Sequence, residues 1–180
     1  MKPLKYYDKA IVFAEFPDEV TLAVNISNCP GMCSHCSEPW LLEDVGTVLT
    51  NEEIDKLISA HSDITTFGLM GGDSNHDDCI RVAKYIHKKY PNIKVGMYSG
   101  REFINLELAQ HLDYYKIGRW IMPEGPSSEW HKTNNGVLQF PWSNQLLFQN
   151  INGALVNITY KFRKTPIGNP ERYIIYPEDN

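Results

Sequence analysis

The sequence has few cysteines, no excess of positive charge and no long apolar run, and each shortage excludes a class of protein. Only 4 of the 180 residues are cysteine, too few and too unevenly spread for a secreted disulfide scaffold. Lys and Arg total 17 against 22 Asp and Glu, a net charge of −5, which argues against non-specific nucleic-acid binding. No apolar run approaches the roughly 18 residues that cross a bilayer, and the apolar stretch near the N-terminus is too short and too interrupted to predict a secretory signal. We therefore expect a soluble cytoplasmic protein.

The length and composition indicate one ordinary globular domain. A chain of 180 residues is long enough to bury its own core, and its 42% apolar and 22% charged residues are near the globular average. The sequence contains no linker or repeat that would separate a second domain. We predict a single domain over residues 1–180, with an irregular C-terminal third from about residue 119.

Three of the four cysteines, Cys29, Cys33 and Cys36, fall within the string CPGMCSHC. In a reducing compartment, such a cluster is more often a metal or redox site than a disulfide. Three thiolates with no close fourth ligand suit a cubane iron–sulfur cluster in which one iron stays open. The alternative is a zinc site completed by Cys79 or by a histidine such as His35 or His61. Cys79 is more simply interpreted as a small buried residue on a helix.

The rest of the chain alternates between predicted strands and helices. Apolar and β-branched residues predict strands at 20–26, 64–70, 93–98 and 114–117. Thr50 and Glu53 form a capping box that begins one helix, and helical spacing predicts others at 76–90 and 103–112. Strands separated by such helices imply βαβ units and a parallel sheet with its helices outside. The cysteine loop directly follows the first of these strands, at the sheet edge where ligands bind.

These motifs resemble those of the radical S-adenosylmethionine (radical SAM) enzymes. That superfamily places C-x3-C-x2-C after its first strand, and its second strand ends in a Gly-Gly-Glu motif, here Gly71-Gly72-Asp73. Within it, the sequence is most similar to the activating enzyme of anaerobic ribonucleoside-triphosphate reductase, over roughly residues 20–146. The further matching segments are Cys36-Ser37-Glu38-Pro39-Trp40, Tyr98-Ser99-Gly100, Asp113-Tyr114-Tyr115-Lys116-Ile117-Gly118 and Ser143-Asn144-Gln145.

The resemblance implies a partial, half TIM-like barrel of parallel strands that binds a [4Fe-4S] cluster and SAM. Cys29, Cys33 and Cys36 would ligate three irons, and the methionine part of SAM would chelate the fourth. A low-potential donor such as flavodoxin or ferredoxin would reduce the cluster, and SAM would be cleaved to methionine and a 5′-deoxyadenosyl radical. The residues that would bind the cofactor are His35, Cys36, Gly71, Gly72, Asp73, Ser99 and Lys116.

The resemblance also implies a protein substrate. The radical would take a hydrogen atom from a backbone glycine of the anaerobic reductase, and Asn144 and Gln145 would hold the extended loop that carries it. Two alternatives remain open. One is a radical SAM enzyme for a small molecule, similar to 7-carboxy-7-deazaguanine synthase, and the other is a non-catalytic metal-binding module.

Three positions depart from the pattern of the activating enzymes. Asp73 is one methylene shorter than the usual Glu, Leu146 replaces a common Arg, and residues 119–142 are rich in tryptophan. The shorter Asp73 is expected to be tolerated, because this loop acts largely through backbone groups. The other two departures concern the contact with the partner.

Overall fold

The computed structural model describes residues 2–31, 33, 36, 38–120 and 145–162, together with the backbone of 174–175. Its strands are β1 (Lys5–Val12), β2 (Thr21–Ile26), β3 (Thr47–Val48), β4 (Thr66–Met70), β5 (Lys94–Tyr98), β6 (Tyr114–Ile117), β7 (Leu146–Ile151), β8 (Ala154–Asn157) and β9 (Ile174–Ile175). Its helices are α1 (Asn51–Ser59), α2 (His76–Lys89) and α3 (Leu106–Ala109), with 3-10 turns at Pro39–Leu42 and Thr159–Phe162. No helix in these ranges is long and apolar enough to cross a bilayer.

The centre of the sheet consists of four parallel strands in the order β2-β4-β5-β6. A helix lies in the connection between each strand and the next, so the predicted βαβ units are confirmed. Because successive strands are added in one direction and such crossovers are right-handed, the three helices lie on the same face. The carboxyl ends of all four strands meet at one edge of the sheet, and the cysteine loop follows β2 at that edge.

The flanking strands are antiparallel, so the prediction of a parallel sheet is correct only for the centre. β1 pairs antiparallel with β2 and β3, and β7, β8 and β9 continue antiparallel beyond β6. The two outermost strands, β3 and β9, each pair with one neighbour in the described residues, and the sheet is mixed and open. The strand β8 ends at Asn157, and the 3-10 turn Thr159–Phe162 follows it.

The larger core lies between the helices and one face of the sheet. Alternate residues of the parallel strands point into it, including Leu22, Phe67 and Met97, and the helices contribute Ile54 and Val82. All five are fully buried. Both faces of β2 and β4 are largely buried, which is why these strands are recognisable in the sequence as continuous apolar and β-branched runs. The opposite face of the sheet, called here the second face, carries the intervening residues.

The amino end of the second face is covered by the segment between β1 and β2. The ring of Phe16 is fully buried, stacks on Tyr114 with centroids 5.0 Å apart and meets Tyr98 edge-on at 5.5 Å. Gly68 and Gly96 provide the room for it, because a Cβ on either would collide with the ring or with neighbouring side chains. Isolated glycines inside strands commonly mark such a close approach. The second face is therefore filled at its amino end.

A buried carboxylate fastens the same segment. Glu19 accepts hydrogen bonds from the hydroxyls of Thr66 (3.0 Å) and Tyr114 (2.7 Å) and is paired with Lys94. Although burial acts to raise it, these partners hold the pKa of Glu19 below its usual value. The carboxylate thus joins the segment before β2 to β4, β5 and β6.

The helix predictions hold with one adjustment. Thr50 caps α1 through a hydrogen bond from the N–H of Glu53 to its Oγ1 (3.2 Å), as the capping box predicts. The helix predicted over 103–112 is limited to Leu106–Ala109, capped by Asn105. Phe103 is 64% exposed, so the start of that pattern lacks a buried face to stabilise a helix.

Candidate metal centre and cofactor site

The cysteine loop begins where β2 ends, and backbone hydrogen bonds fix its position. Asn28 adopts a left-handed conformation (φ 58°), which Asn tolerates better than most residues. Its N–H donates to the carbonyl of Glu43 (2.8 Å), and the N–H of Cys29 donates to the carbonyl of Leu41 (2.9 Å). The turn Pro39–Leu42 therefore holds the first cysteine in place.

The three cysteines of this loop lie within eight residues of the sequence. Cys29 and Cys33 are half-buried and Cys36 is exposed, and the N–H of Cys36 donates to the carbonyl of Cys33 (3.2 Å). A Cβ on Gly31 would lie 3.4 Å from the sulfur of Cys29 and 4.0 Å from that of Cys33, so the backbone passes beside both sulfurs. Burial raises the pKa of the Cys29 thiol, and the charges of Asp73, Cys33 and Cys36 add to this.

This donor set fits an iron–sulfur cluster. Thiolates that repel one another are stabilised when a cationic metal centre binds them, since metal ligation keeps cysteine deprotonated. A fully ligated four-iron cluster uses four cysteines, so three thiolates would leave one iron without a cysteine ligand. In the described residues, no three His, Cys, Asp or Glu side chains form a single-ion site.

The structure gives the zinc alternative no fourth ligand from Cys79 or His61. Cys79 is fully buried, its thiol donates to the carbonyl of Gly72 (3.5 Å), and burial raises its pKa strongly. His61 follows α1 and precedes β4, which places it at the amino edge of the sheet, opposite the cysteine loop. His35 lies outside the described residues. Cys79 is thus the buried core residue that the sequence suggested.

Gly71 and Gly72 form the turn that leaves β4. Both have positive φ angles, 113° and 117°, which strongly favour glycine. The N–H of Gly71 donates to the carbonyls of Leu69 and Tyr98 (3.1 Å each). The carbonyl of Gly72 points into the loop, where it accepts from the N–H of Asn75 (3.0 Å) and from the Cys79 thiol. The Gly72 carbonyl is therefore already hydrogen-bonded to protein groups within the loop.

Asp73 and Ser99, both predicted cofactor ligands, bind each other. The hydroxyl of Ser99 donates to Asp73 Oδ1 (2.7 Å), and the N–H of Gly100 donates to Asp73 Oδ2 (2.8 Å). Ser99 Oγ also accepts from the N–H of Arg101 (3.0 Å). Ser99 is 3% exposed. These contacts tie the carboxyl end of β4 to that of β5.

Lys116 lies on the second face, near the cysteine loop. Its Nζ is 4.2 Å from the centre of the Tyr98 ring. Burial lowers the pKa of Lys116 to about 8, and the negative charges of Glu15 and Cys33 partly oppose this. Because β6 pairs with β5 on one side and with β7 on the other, Lys116 does not lie on an edge strand. The result is a desolvated cation beside the cysteine loop.

The two residues predicted to bind a partner are placed differently from the cofactor residues. Asn144 lies outside the described residues. Gln145 is 4% exposed, and its Nε2 donates to the carbonyl of Gly118 (3.2 Å). Its amide therefore contributes to the join between β6 and β7.

The sequence did not reveal the residues that connect separate strands and helices through side-chain contacts. His76 and Asn105 extend the Asp73 contact, and Tyr98 lies beneath Lys116. The glycines at positions 68 and 96 were the one available signal for Phe16 on the second face. Nothing local in the sequence indicates that His76 contacts Asp73 and Asn105.

A comparison with protein-family models supports an iron–sulfur cluster in the region that contains the cysteine loop. A family model described as a 4Fe-4S single cluster domain matches residues 19–135, which is more than half of the chain. This domain is found in radical SAM enzymes. The searches of curated proteins and of solved structures gave no match. The matched region begins just before β2 and includes the cysteine loop, the Gly-Gly turn, Ser99 and Lys116. The chain therefore belongs to the 4Fe-4S single cluster domain family.

Proposed function

We propose that this protein is a radical SAM enzyme that cleaves S-adenosylmethionine reductively. The observation that carries the proposal is the shared edge of the parallel strands. The cysteine loop follows β2, the Gly71-Gly72 turn follows β4, and Lys116 lies near the end of β6. The three cysteines, the Gly-Gly turn and a desolvated cation thus lie at one edge of one sheet, which supports a shared cofactor site there.

The strand order supports a half barrel. Four parallel strands in sequence order, with helices on one face, are the arrangement of successive units in a (βα) barrel. We propose that β2, β4, β5 and β6 form the corresponding part of a half TIM-like barrel. Phe16 and Glu19 fill the amino end of its second face, so a cofactor would enter at the carboxyl end.

The residues of the chain then have separate tasks. Cys29, Cys33 and Cys36 would ligate three irons of a [4Fe-4S] cluster. When bound, the cluster would supply the electron that breaks the C–S bond of SAM, which yields methionine and a 5′-deoxyadenosyl radical. The backbone of Gly71 would approach the methionine ammonium, because the Gly72 carbonyl is engaged inside the loop. Lys116 would pair with the methionine carboxylate.

Lys116→Met is expected to weaken SAM binding while leaving the cluster in place. The ammonium is desolvated and faces Tyr98, so a carboxylate would gain a charge-assisted hydrogen bond that Met cannot provide. The loss of such a bond corresponds to a rise in Kd of roughly 10- to 100-fold. Isothermal titration of SAM into the anaerobically reconstituted protein measures this change. Lys84→Met, on the exposed side of α2, is the matched control, and equal affinity in both variants would contradict the role.

For the substrate, we propose a backbone glycine on anaerobic ribonucleoside-triphosphate reductase. The segments from Asp113 to Gly118 and from Ser143 to Gln145 resemble those of the activating enzymes of that reductase. We also propose a low-potential donor such as flavodoxin or ferredoxin, since the cluster must be reduced for each cleavage.

The test mixes reduced protein, SAM and the anaerobic reductase without oxygen and records the electron paramagnetic resonance spectrum. We expect the doublet of a glycyl radical on the reductase. Asn144→Ala should lower its yield more than unproductive SAM cleavage, whereas Asn92→Ala, in an exposed turn at the amino edge, should change neither. Gln145 is left unchanged because its amide supports the fold. SAM cleavage without any protein radical would reject the activase function and favour a small-molecule substrate.

A further inference from the structure

The carboxylate of Asp73 is enclosed by protein donors. Its side chain is 6% exposed. Oδ1 accepts from the Ser99 hydroxyl (2.7 Å) and faces His76 Nε2 at 3.2 Å, while Oδ2 accepts from the N–H of Gly100 (2.8 Å). Buried carboxylates are stable when hydrogen bonds from several donors replace water, as they do here. Both oxygens are therefore directed at the ends of neighbouring elements.

His76 extends this contact to a third element. Asn105 Oδ1 accepts from the N–H of Leu108, so its Nδ2 is the group that donates to His76 Nδ1 (2.9 Å). This pattern assigns the proton of the neutral ring to Nε2, which donates to Asp73. A continuous chain of hydrogen bonds thus runs from the residue after the Gly-Gly turn to the N-cap of α3.

We propose that Asp73 is a positioning residue that sets the Gly71-Gly72 turn through the shape of its hydrogen bonds, and not through its charge on the cofactor. The inference rests on the proposed function, in which this turn receives the methionine part of SAM. Asp73 is joined directly to the turn, and its carboxylate fixes it against Ser99 and Gly100. A displaced carboxylate would let the turn move relative to β5 and Lys116.

Substitutions at position 73 can change the shape and the charge of the side chain separately. A Glu at position 73 keeps the charge but extends the carboxylate by one methylene, which displaces its oxygens from Ser99 Oγ and the Gly100 nitrogen, now 2.7 and 2.8 Å away. An Asn keeps the shape: its oxygen can still accept from the N–H of Gly100, and its NH2 can donate to Ser99 Oγ, whereas the His76 N–H loses its acceptor. A charge contact with SAM would give the opposite ranking, with Glu tolerated and Asn impaired.

The experiment compares Asp73→Asn, Asp73→Glu and Asp73→Ala with the unchanged protein. Asp77→Asn, which changes an exposed carboxylate in the first turn of α2, four residues after Asp73, is the matched control. Two quantities are measured: SAM affinity of the anaerobically reconstituted protein, and amide hydrogen exchange of Gly100 in the metal-free protein. We expect Asn to stay within about fivefold of the unchanged affinity, and Glu and Ala to lose about tenfold or more. Gly100 exchange should accelerate most in Glu and Ala.

Other outcomes overturn the inference. If Glu binds SAM normally and Asn loses about tenfold, Asp73 acts through its charge. If all three variants bind SAM like the unchanged protein, Asp73 does not position the turn. Should Glu and Ala fail to fold, the Asn variant decides, since normal affinity supports shape and a tenfold loss contradicts it. Failure of the unchanged protein to bind SAM would reject the proposed function instead, and the Gly100 exchange ranking would still test the hydrogen bonds of Asp73.

Discussion

Replacing any one of Cys29, Cys33 and Cys36 with Ala is expected to abolish SAM cleavage and to remove the stable four-iron cluster. In the proposed function these three cysteines are the cluster's protein ligands, so the loss of any one thiolate would leave a second iron without a cysteine ligand. Cys79 is fully buried beneath Gly72 and directed into the core. Its substitution by Ala should leave iron content and SAM cleavage intact.

The measurements are iron and sulfide content after anaerobic reconstitution, the visible absorption of the cluster, and 5′-deoxyadenosine formed with dithionite as reductant. The unchanged protein and Cys79→Ala should bind about four irons per chain. Oxygen should bleach the absorption. Stoichiometric zinc without iron in the unchanged protein, or normal iron in all three loop variants, would contradict the assignment.

Gly72→Ala is expected to destabilise the protein strongly. An alanine Cβ would lie 2.7 Å from the sulfur of Cys79, at a φ of 117° that L-residues rarely adopt. Backbone strain and overpacking each cost about 1 to 3 kcal/mol, so the sum is a large part of the stability of an ordinary domain. A valine at this position would add further overpacking.

Two further variants separate the causes of this loss. Gly153 has a φ of 88° and an open Cβ position, so Gly153→Ala measures strain alone, at roughly 1 to 2 kcal/mol. Adding Cys79→Ala to Gly72→Ala removes the clashing sulfur and should restore part of the lost stability. Urea unfolding of the metal-free proteins gives the three values. Equal losses for Gly72→Ala and Gly153→Ala would mean that the contact with Cys79 is unimportant.

The sequence predicted the parts of the fold that depend on local pattern. The runs around Leu22 and Phe67 are continuous because both faces of each strand are largely buried, and Thr50 marks the start of α1. β1 escaped prediction because most of its residues are exposed and its pattern includes Asp8 and Lys9. β7 was missed because the tryptophan-rich sequence that precedes it has no clear helical or strand period.

In the candidate site, too, the local motifs were predictable and the contacts between distant residues were not. The cysteine loop and the Gly-Gly turn are each a short continuous stretch of sequence, so the residue spacing within each one was informative. The contact of Asp73 with Ser99 joins residues 26 positions apart through the register of β4 and β5. Likewise, the burial of Gln145 against Gly118 depends on the antiparallel pairing of β6 with β7. Partners of this kind are determined by strand order, which composition and periodicity do not specify.

The most direct test of the central claim is the product of SAM incubated with the reconstituted, dithionite-reduced protein under anaerobic conditions. Liquid chromatography with mass detection identifies the nucleoside that is formed. The account predicts 5′-deoxyadenosine together with methionine, dependent on iron, on reductant and on each of the three loop cysteines. A fully loaded cluster that gives no 5′-deoxyadenosine would contradict it and identify the protein as a cluster-binding module without radical chemistry.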